Sequence, residues 1–386
     1  MSKISQYCIN MALLGVAAIA SGRFAIVSSS GVGIGLTCLS VILLTWMGIA
    51  SHILLRKDYI FILLLNTLFV MMTLCFYSAW GTALIFAQVL IGCCVLNNLV
   101  LSKRMYCWVH GICFIGILVY VLTLDIATIN HSVAYNRQGV LVNPNTVGIL
   151  ALGGALHGIC WASVLRHQLC RYVLLSLCLV GGGLLIIKFR CRSAFLMLVF
   201  FWLIFIWKNK PFQENTCCWL TRMILLGSLL LPCLYVYLYL YTNANWELFG
   251  KGLFTGRQFV WHDAFYYILQ NPLLGVGNEG LLEMGNSFKE ARLTDSTHNV
   301  MLGIWKSLGC VPLVSFWWLL CHKGHYKESP TMVLAAQIAF LASLFGTYFE
   351  NSYTNAGYGA LFLLLLLMKI KPVHSNECCG ESSRIT

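Results

Sequence analysis

Thr255-Gly256-Arg257 opens a stretch that runs through Trp261, halts at Asn271-Pro272 and turns at Gly275-Val276-Gly277. It then crosses an acidic linker to Asp295-Ser296-Thr297-His298-Asn299 and ends at Gly309. This is the longest polar interval in a chain of 386 residues that is 59% hydrophobic and only 10% charged. Elsewhere the apolar runs repeatedly approach the ~20 residues that span a bilayer. Such a chain is not an ordinary soluble domain. It reads as an all-α polytopic membrane protein, with its chemistry expected where the polarity gathers.

Working outward, spans are expected over Ser5–Ala25, Val32–Leu54, Tyr59–Tyr77, Ala79–Leu101, Tyr106–Leu124, Asn145–Leu165, Tyr172–Ile187, Ser193–Trp207, Cys218–Tyr241, Thr297–Leu319, Thr331–Tyr348 and Gly357–Met368. They number about twelve. The first run, Cys8 to Ala20, resembles a secretory signal, but the apolar stretch from Gly31 to Leu55 follows it, and it is read as retained. The net charge of +12 comes from short basic clusters between spans, such as Arg56-Lys57 and Lys103-Arg104. That pattern sets membrane orientation and argues against nucleic acid as a partner. It places both termini in the cytoplasm and throws the Thr242 to Ser296 loop outside, with the shorter Asp125 to Val142 loop and the Lys188 to Arg192 turn. Residues 1–373 then form one transmembrane domain with the 242–296 loop inserted, and 374–386 form a disordered cytoplasmic tail. The 18 cysteines lie mostly in spans or inner loops, and none is in the large loop. They read as small packing residues rather than a disulfide framework.

Three groups on the outer side could carry chemistry. Lys188, Arg190 and Arg192 crowd a turn between two short apolar runs, on the face where cations are disfavoured. Snorkelling at helix ends explains them, and so does an anionic ligand. Arg257, Trp261, Ala264, Phe265 and Ile268 recur at helical spacing, giving an amphipathic helix that ends at Asn271-Pro272. A guanidinium on that face suits phosphate, since its rigid fork matches phosphate oxygens. His298 follows three possible caps, Asp295, Ser296 and Thr297, and is expected in the first turn of a helix. There the dipole keeps imidazole neutral, as a general base requires. Lys306 lies further along the same apolar span. The outer acidic residues show no metal-ligand spacing, so no metal or other cofactor is expected.

These pieces, in order, resemble one family. Cys191-Arg192-Ser193-Ala194 is similar to a Ser-Arg-Gly-Ala type motif. Gly256-Arg257 with Trp261, Asn271-Pro272, Gly275 and Gly277 resembles the opening of a large periplasmic loop, and His298-Asn299 with Gly309 resembles its close. Asn143-Pro144-Asn145 and Glu350-Asn351 are further similarities. Together they resemble the O-antigen ligase and O-antigen polymerase superfamily of bacterial membrane glycosyltransferases.

The resemblance implies a GT-C-like, metal-independent, inverting enzyme of the bacterial inner membrane with its active site facing the periplasm. Its donor would be a glycan on undecaprenyl diphosphate, and its acceptor lipid A-core for a ligase or a lipid-linked repeat unit for a polymerase. Arg192 and Arg257 would grip the diphosphate, and His298 would activate the acceptor hydroxyl. Arg190, Trp261 and Asn299 are the expected substrate-binding residues. Cys191 and Ser193 depart from the family pattern around Arg192, which leaves Arg190 as a second candidate for its role. The alternative from another class is a transporter of polysaccharide or lipid-linked glycan, for which ionisable residues or broken helices near mid-membrane are expected.

Overall fold

A computed structural model describes residues 3–26, 30–99, 101–124, 126–130, 133–136, 141–142, 144–208, 210–242, 247–248, 251–252, 257–278, 282–284, 292–294, 297–321, 330–348, 353 and 359–367. The first five helices are α1 (Lys3–Ile26), α2 (Ser30–Ala50), α3 (Lys57–Phe76), α4 (Trp80–Leu96) and α5 (Lys103–Thr123). After them come α6 (Pro144–Ala162), α7 (Gln168–Ser176), α8 (Gly182–Lys188), α9 (Arg192–Trp207) and α10 (Glu214–Thr242). The chain continues with α11 (Arg257–Gln270), α12 (Val300–Leu308), α13 (Cys310–Leu320), α14 (Pro330–Phe345) and α15 (Gly359–Leu363). Among the described residues, seven helical stretches are long and apolar enough to cross a membrane: α1, α2, α3, α5, α6, the continuous α7–α8 rod and α10. Shorter apolar helices fill the expected spans at α4, α9, α13 and α14.

Local chemistry sets several boundaries. Ser102 caps α5 by accepting from the Met105 amide at 3.2 Å, and Pro144 opens α6 where a missing amide hydrogen costs least. The α7–α8 rod passes through a π-helical turn at Leu177–Gly181. The expected span at Thr297–Leu319 is not one helix, because Gly309 breaks it into α12 and α13. Short antiparallel pairings, absent from the sequence expectation, join Ile126–Asn130 to Val133–Asn136 and Leu282–Met284 to Arg292–Thr294. The tail at 374–386 lies outside the described residues.

The centre is a continuous apolar core in which α6 is enclosed by α5, α8, α9 and α14. A polar seam crosses it between α5, α6 and α15. His110 on α5 and His157 on α6 meet through their Nδ1 atoms at 2.7 Å, and His157 Nε2 lies 2.9 Å from the Leu361 carbonyl of α15. Both histidines are fully buried. The described cysteines are free thiols.

Candidate active site

The amphipathic helix appears as α11. Val260, Trp261, Ala264 and Ile268 form its buried face, with Phe265 half-buried beside them. Trp261 is fully buried and stands edge-on to Tyr235 of α10. Its indole N–H donates to the Thr297 carbonyl at 2.9 Å. One hydrogen bond thus ties the helix that begins with Arg257 to the peptide unit that leads into His298.

A side chain one turn along from each expected catalytic residue belongs to, or packs against, the same apolar cluster. Trp261 of α11 and Leu302 of α12 belong to a second buried cluster, and Leu196 of α9 packs against it. Each of these side chains stands four residues after a candidate: Arg192 before Leu196, Arg257 before Trp261, and His298 before Leu302. Arg192 and Arg257 are the first residues of their helices, and His298 immediately precedes the cap of its own. The N-terminus of each of these helices carries partial positive charge from its unpaired amide groups.

The structure moves the cap. Asn299, not Asp295, Ser296 or Thr297, closes α12, with its Oδ1 accepting from the Leu302 amide at 3.0 Å. Its Nδ2 donates to the Ser228 carbonyl at 2.8 Å, so the side chain also locks α12 to α10. His298 consequently lies before the first turn rather than in it. Its backbone is left-handed, with φ 50°. Only three described non-glycine residues have positive φ, and Arg190, also at φ 50°, is another of them. Arg190 takes the position after a helix that glycine usually fills: its amide donates to Ile187 and the Cys191 amide to Ile186. Backbone held in this region costs about 1–2 kcal/mol per residue and concentrates at functional sites. His298 is half-buried, Arg190 exposed and Arg192 half-buried.

The arginine turn is also anchored. Cys191 Sγ donates to the Asn145 carbonyl at 3.4 Å, which brings the start of α6 to the motif around Arg192. Asn143, Gly256, Asp295, Ser296 and Glu350-Asn351 lie outside the described residues.

The proline–glycine motif has a different job. The Val276 amide donates to the Lys306 carbonyl at 2.7 Å, the Gly277 amide to Ser307 at 3.1 Å and the Cys310 amide to Pro272 at 3.1 Å. Trp305 Nε1 donates to the Pro272 carbonyl at 3.0 Å, and Thr73 Oγ1 to Leu274 at 2.7 Å. The turn after α11 is thus plugged into the break between α12 and α13. Glycine is required on both sides of this joint. A Cβ at Gly275 would come within 2.6 Å of the Lys306 carbonyl oxygen, and one at Gly309 (φ 88°) would overlap the Leu273 carbonyl. Lys306 itself is fully buried.

Sequence reasoning missed Gln258, next to Arg257, whose buried Oε1 meets no donor among the described residues. It also missed Ser228 and Tyr348, whose carbonyls receive Asn299. No local pattern flags residues that act through a backbone oxygen. Among the described residues, no three His, Cys, Asp or Glu side chains gather as a metal-binding set.

The O-antigen ligase family model matches residues 174–317. Over that segment the chain is similar to the O-antigen ligase domain. The matched segment runs from α7 into α13 and contains all six candidate residues: Arg190, Arg192, Arg257, Trp261, His298 and Asn299. It also contains both sides of the joint at Gly309. The O-antigen ligase domain supports a membrane glycosyltransferase of the ligase and polymerase type, consistent with the multi-pass apolar helices. No curated protein and no solved structure matches the chain.

Proposed function

We propose that the protein is an O-antigen ligase that transfers a glycan from undecaprenyl diphosphate to a hydroxyl of lipid A-core at the periplasmic face of the inner membrane. The observation that carries this reading is the bond from Trp261, one turn after Arg257, to the carbonyl before His298, beside an apolar cluster against which Leu196, one turn after Arg192, also packs.

In this mechanism Arg192 and Arg257, at the positive ends of α9 and α11, hold the donor diphosphate by charge-assisted hydrogen bonds. The acceptor oxygen attacks the anomeric carbon as the bond from that carbon to the diphosphate oxygen breaks, and the centre inverts. His298 takes the proton of the attacking hydroxyl. The arginines stabilise the charge that builds on the leaving diphosphate, in place of a divalent ion. Arg190 lies at the edge of the same turn and meets the distal phosphate. Trp261 and Asn299 are positioning residues, because their polar atoms hold Thr297 and the start of α12. About twelve spans, with the loop at 242–296 outside, complete the topology of this reading.

The test is transfer from a purified lipid-linked glycan to lipid A-core and to a lipid-linked repeat unit in turn, with chelator present. Product on lipid A-core is expected. Product only on the lipid-linked repeat makes the protein a polymerase, and a chelator-sensitive reaction removes the arginine-only account of the diphosphate.

A transporter is the second reading, favoured by the fully buried Lys306 and the His110–His157 pair. The histidine pair is built into the scaffold, however, since His157 is bonded to the Leu361 carbonyl. Movement of labelled lipid-linked glycan across vesicles, without formation of a new glycosidic bond, would establish it.

A further inference from the structure

We propose that a groove between α5, α6 and the α7–α8 rod holds the isoprenoid chain of the donor, with the phosphate nearest the lipid at Lys188. This rests on the reading above that the donor is a lipid-linked diphosphate, and it adds a place for the donor's lipid chain and a third cation, Lys188, beside the arginines at the diphosphate.

The groove encloses about 360 Å³, within the range of about 300–1,000 Å³ usual for small-molecule sites. Phe114 and Leu122 of α5 line one wall, Ala151 and Ala155 of α6 the floor, and Cys178 and Gly181 of the rod the other wall. Lys188 is the charged residue among its lining residues. Apolar length ending in a cation matches a hydrocarbon chain ending in phosphate.

The local structure explains why space exists here. The π-helical turn at Leu177–Gly181 inserts a residue into the rod, a device frequent at functional sites. It is followed at once by Gly182-Gly183. A Cβ at Gly181 would meet only Leu177 Cδ1, at 3.4 Å, so that wall is open rather than close-packed. From Cys178 to Lys188 the rod rises about 15 Å at ~1.5 Å per residue, roughly half the ~30 Å hydrocarbon thickness. Exposed Leu177 and Leu184 border the groove on the outer side of the rod, so a chain reaches it sideways from the bilayer.

Continuity with the candidate active site selects the occupant. Lys188 is the last residue of α8, and the turn that follows carries Arg190 and Arg192. A lipid lying in this groove delivers its phosphates to those guanidinium groups, whereas an ordinary phospholipid would end its charge at Lys188.

Two measurements on the full-length protein in nanodiscs test this. The first compares donors whose carrier is a full-length polyprenyl chain with donors carrying two or three isoprene units. The wild-type protein should prefer the long carrier in kcat/KM, and Gly181→Phe should cut that preference by about tenfold or more, since each buried methylene contributes to affinity. Leu64→Phe on the exposed face of α3 serves as a control and should leave the preference intact. The second uses polyprenyl phosphate bearing a photoreactive group near its phosphate end, read by peptide mapping, and needs no turnover. Labelling should fall on α5 and the α7–α8 rod, be competed by unlabelled polyprenyl phosphate and not by phosphatidylglycerol, and fall in Gly181→Phe.

Labelling elsewhere, equal competition by phosphatidylglycerol, or an unchanged chain-length preference in Gly181→Phe overturns the proposal. If the wild-type protein transfers from neither donor, the glycosyltransferase reading fails, while the labelling still decides whether the groove takes a polyprenyl chain.

Discussion

The two ends of α12 are held in opposite ways. At its C-terminal end the backbone of Lys306, Ser307 and Cys310 is bonded to the turn at 272–277, and the joint is closed by glycines that leave no room for a side chain. At its N-terminal end Asn299 caps the helix from a buried position, but the next residue out, His298, is half-buried and left-handed. The contrast shows one short helix serving as an anchor below and an instrument above. Rigidity at the joint is what allows a strained residue to be presented at the tip.

The comparison can be broken most directly at its upper end. His298→Ala should lower glycan transfer by about 10²–10⁴-fold, the usual contribution of a general base, with insertion and thermal unfolding unchanged. Full transfer by that variant would remove the proposed base. Gly309→Ala attacks the lower end, and should destabilise the folded protein by about 3 kcal/mol through the φ it forbids and the carbonyl it meets. The readout is a fall in the thermal midpoint of the purified protein. A midpoint equal to wild type would show that the joint is not rigid.

Smaller changes sharpen the contrast. Arg257→Lys keeps the charge and loses the fork, and should cost about tenfold to a hundredfold in kcat. Equal loss in kcat and stability would instead assign Arg257 to the scaffold. Trp261→Phe keeps an aromatic ring but loses the five-membered one, and strips the Thr297 carbonyl of its donor; the lost bond and the cavity together should cost about 2–3 kcal/mol in stability. Its kcat should fall by a few-fold while the KM for the acceptor holds. An unchanged kcat would detach this hydrogen bond from the placement of His298.

Much of this architecture was legible because membrane helices advertise themselves by composition. The apolar face of α11 was readable from its spacing, and Trp261, Ala264 and Ile268 are buried as that spacing requires. The order of arginine turn, amphipathic helix and histidine was legible too, as a resemblance to a family whose model matches the same stretch. What the sequence hid was the partner of each motif. Nothing around Gly275 and Gly277 tells that they face Lys306 and Ser307, because the joint is made of backbone groups that every residue carries. The capping role passed to Asn299 for a similar reason: four neighbouring side chains could serve, and contact with Ser228, far away in the chain, favours one of them. The His110–His157 seam was invisible because two lone histidines in separate apolar helices give no periodic signal.

That seam has a direction. With His157 donating from Nε2 to the Leu361 carbonyl, a neutral His157 ring has only a lone pair at Nδ1, so the proton between the rings belongs to His110. Donors therefore run one way, from α5 to α6 to α15, and His110 Nε2 is a buried acceptor that meets no donor among the described residues. A side chain at position 157 that only donates would keep the contact with α15 and force His110 into its other tautomer to keep the one with α5. The direction of both bonds follows from the tautomer of a single ring.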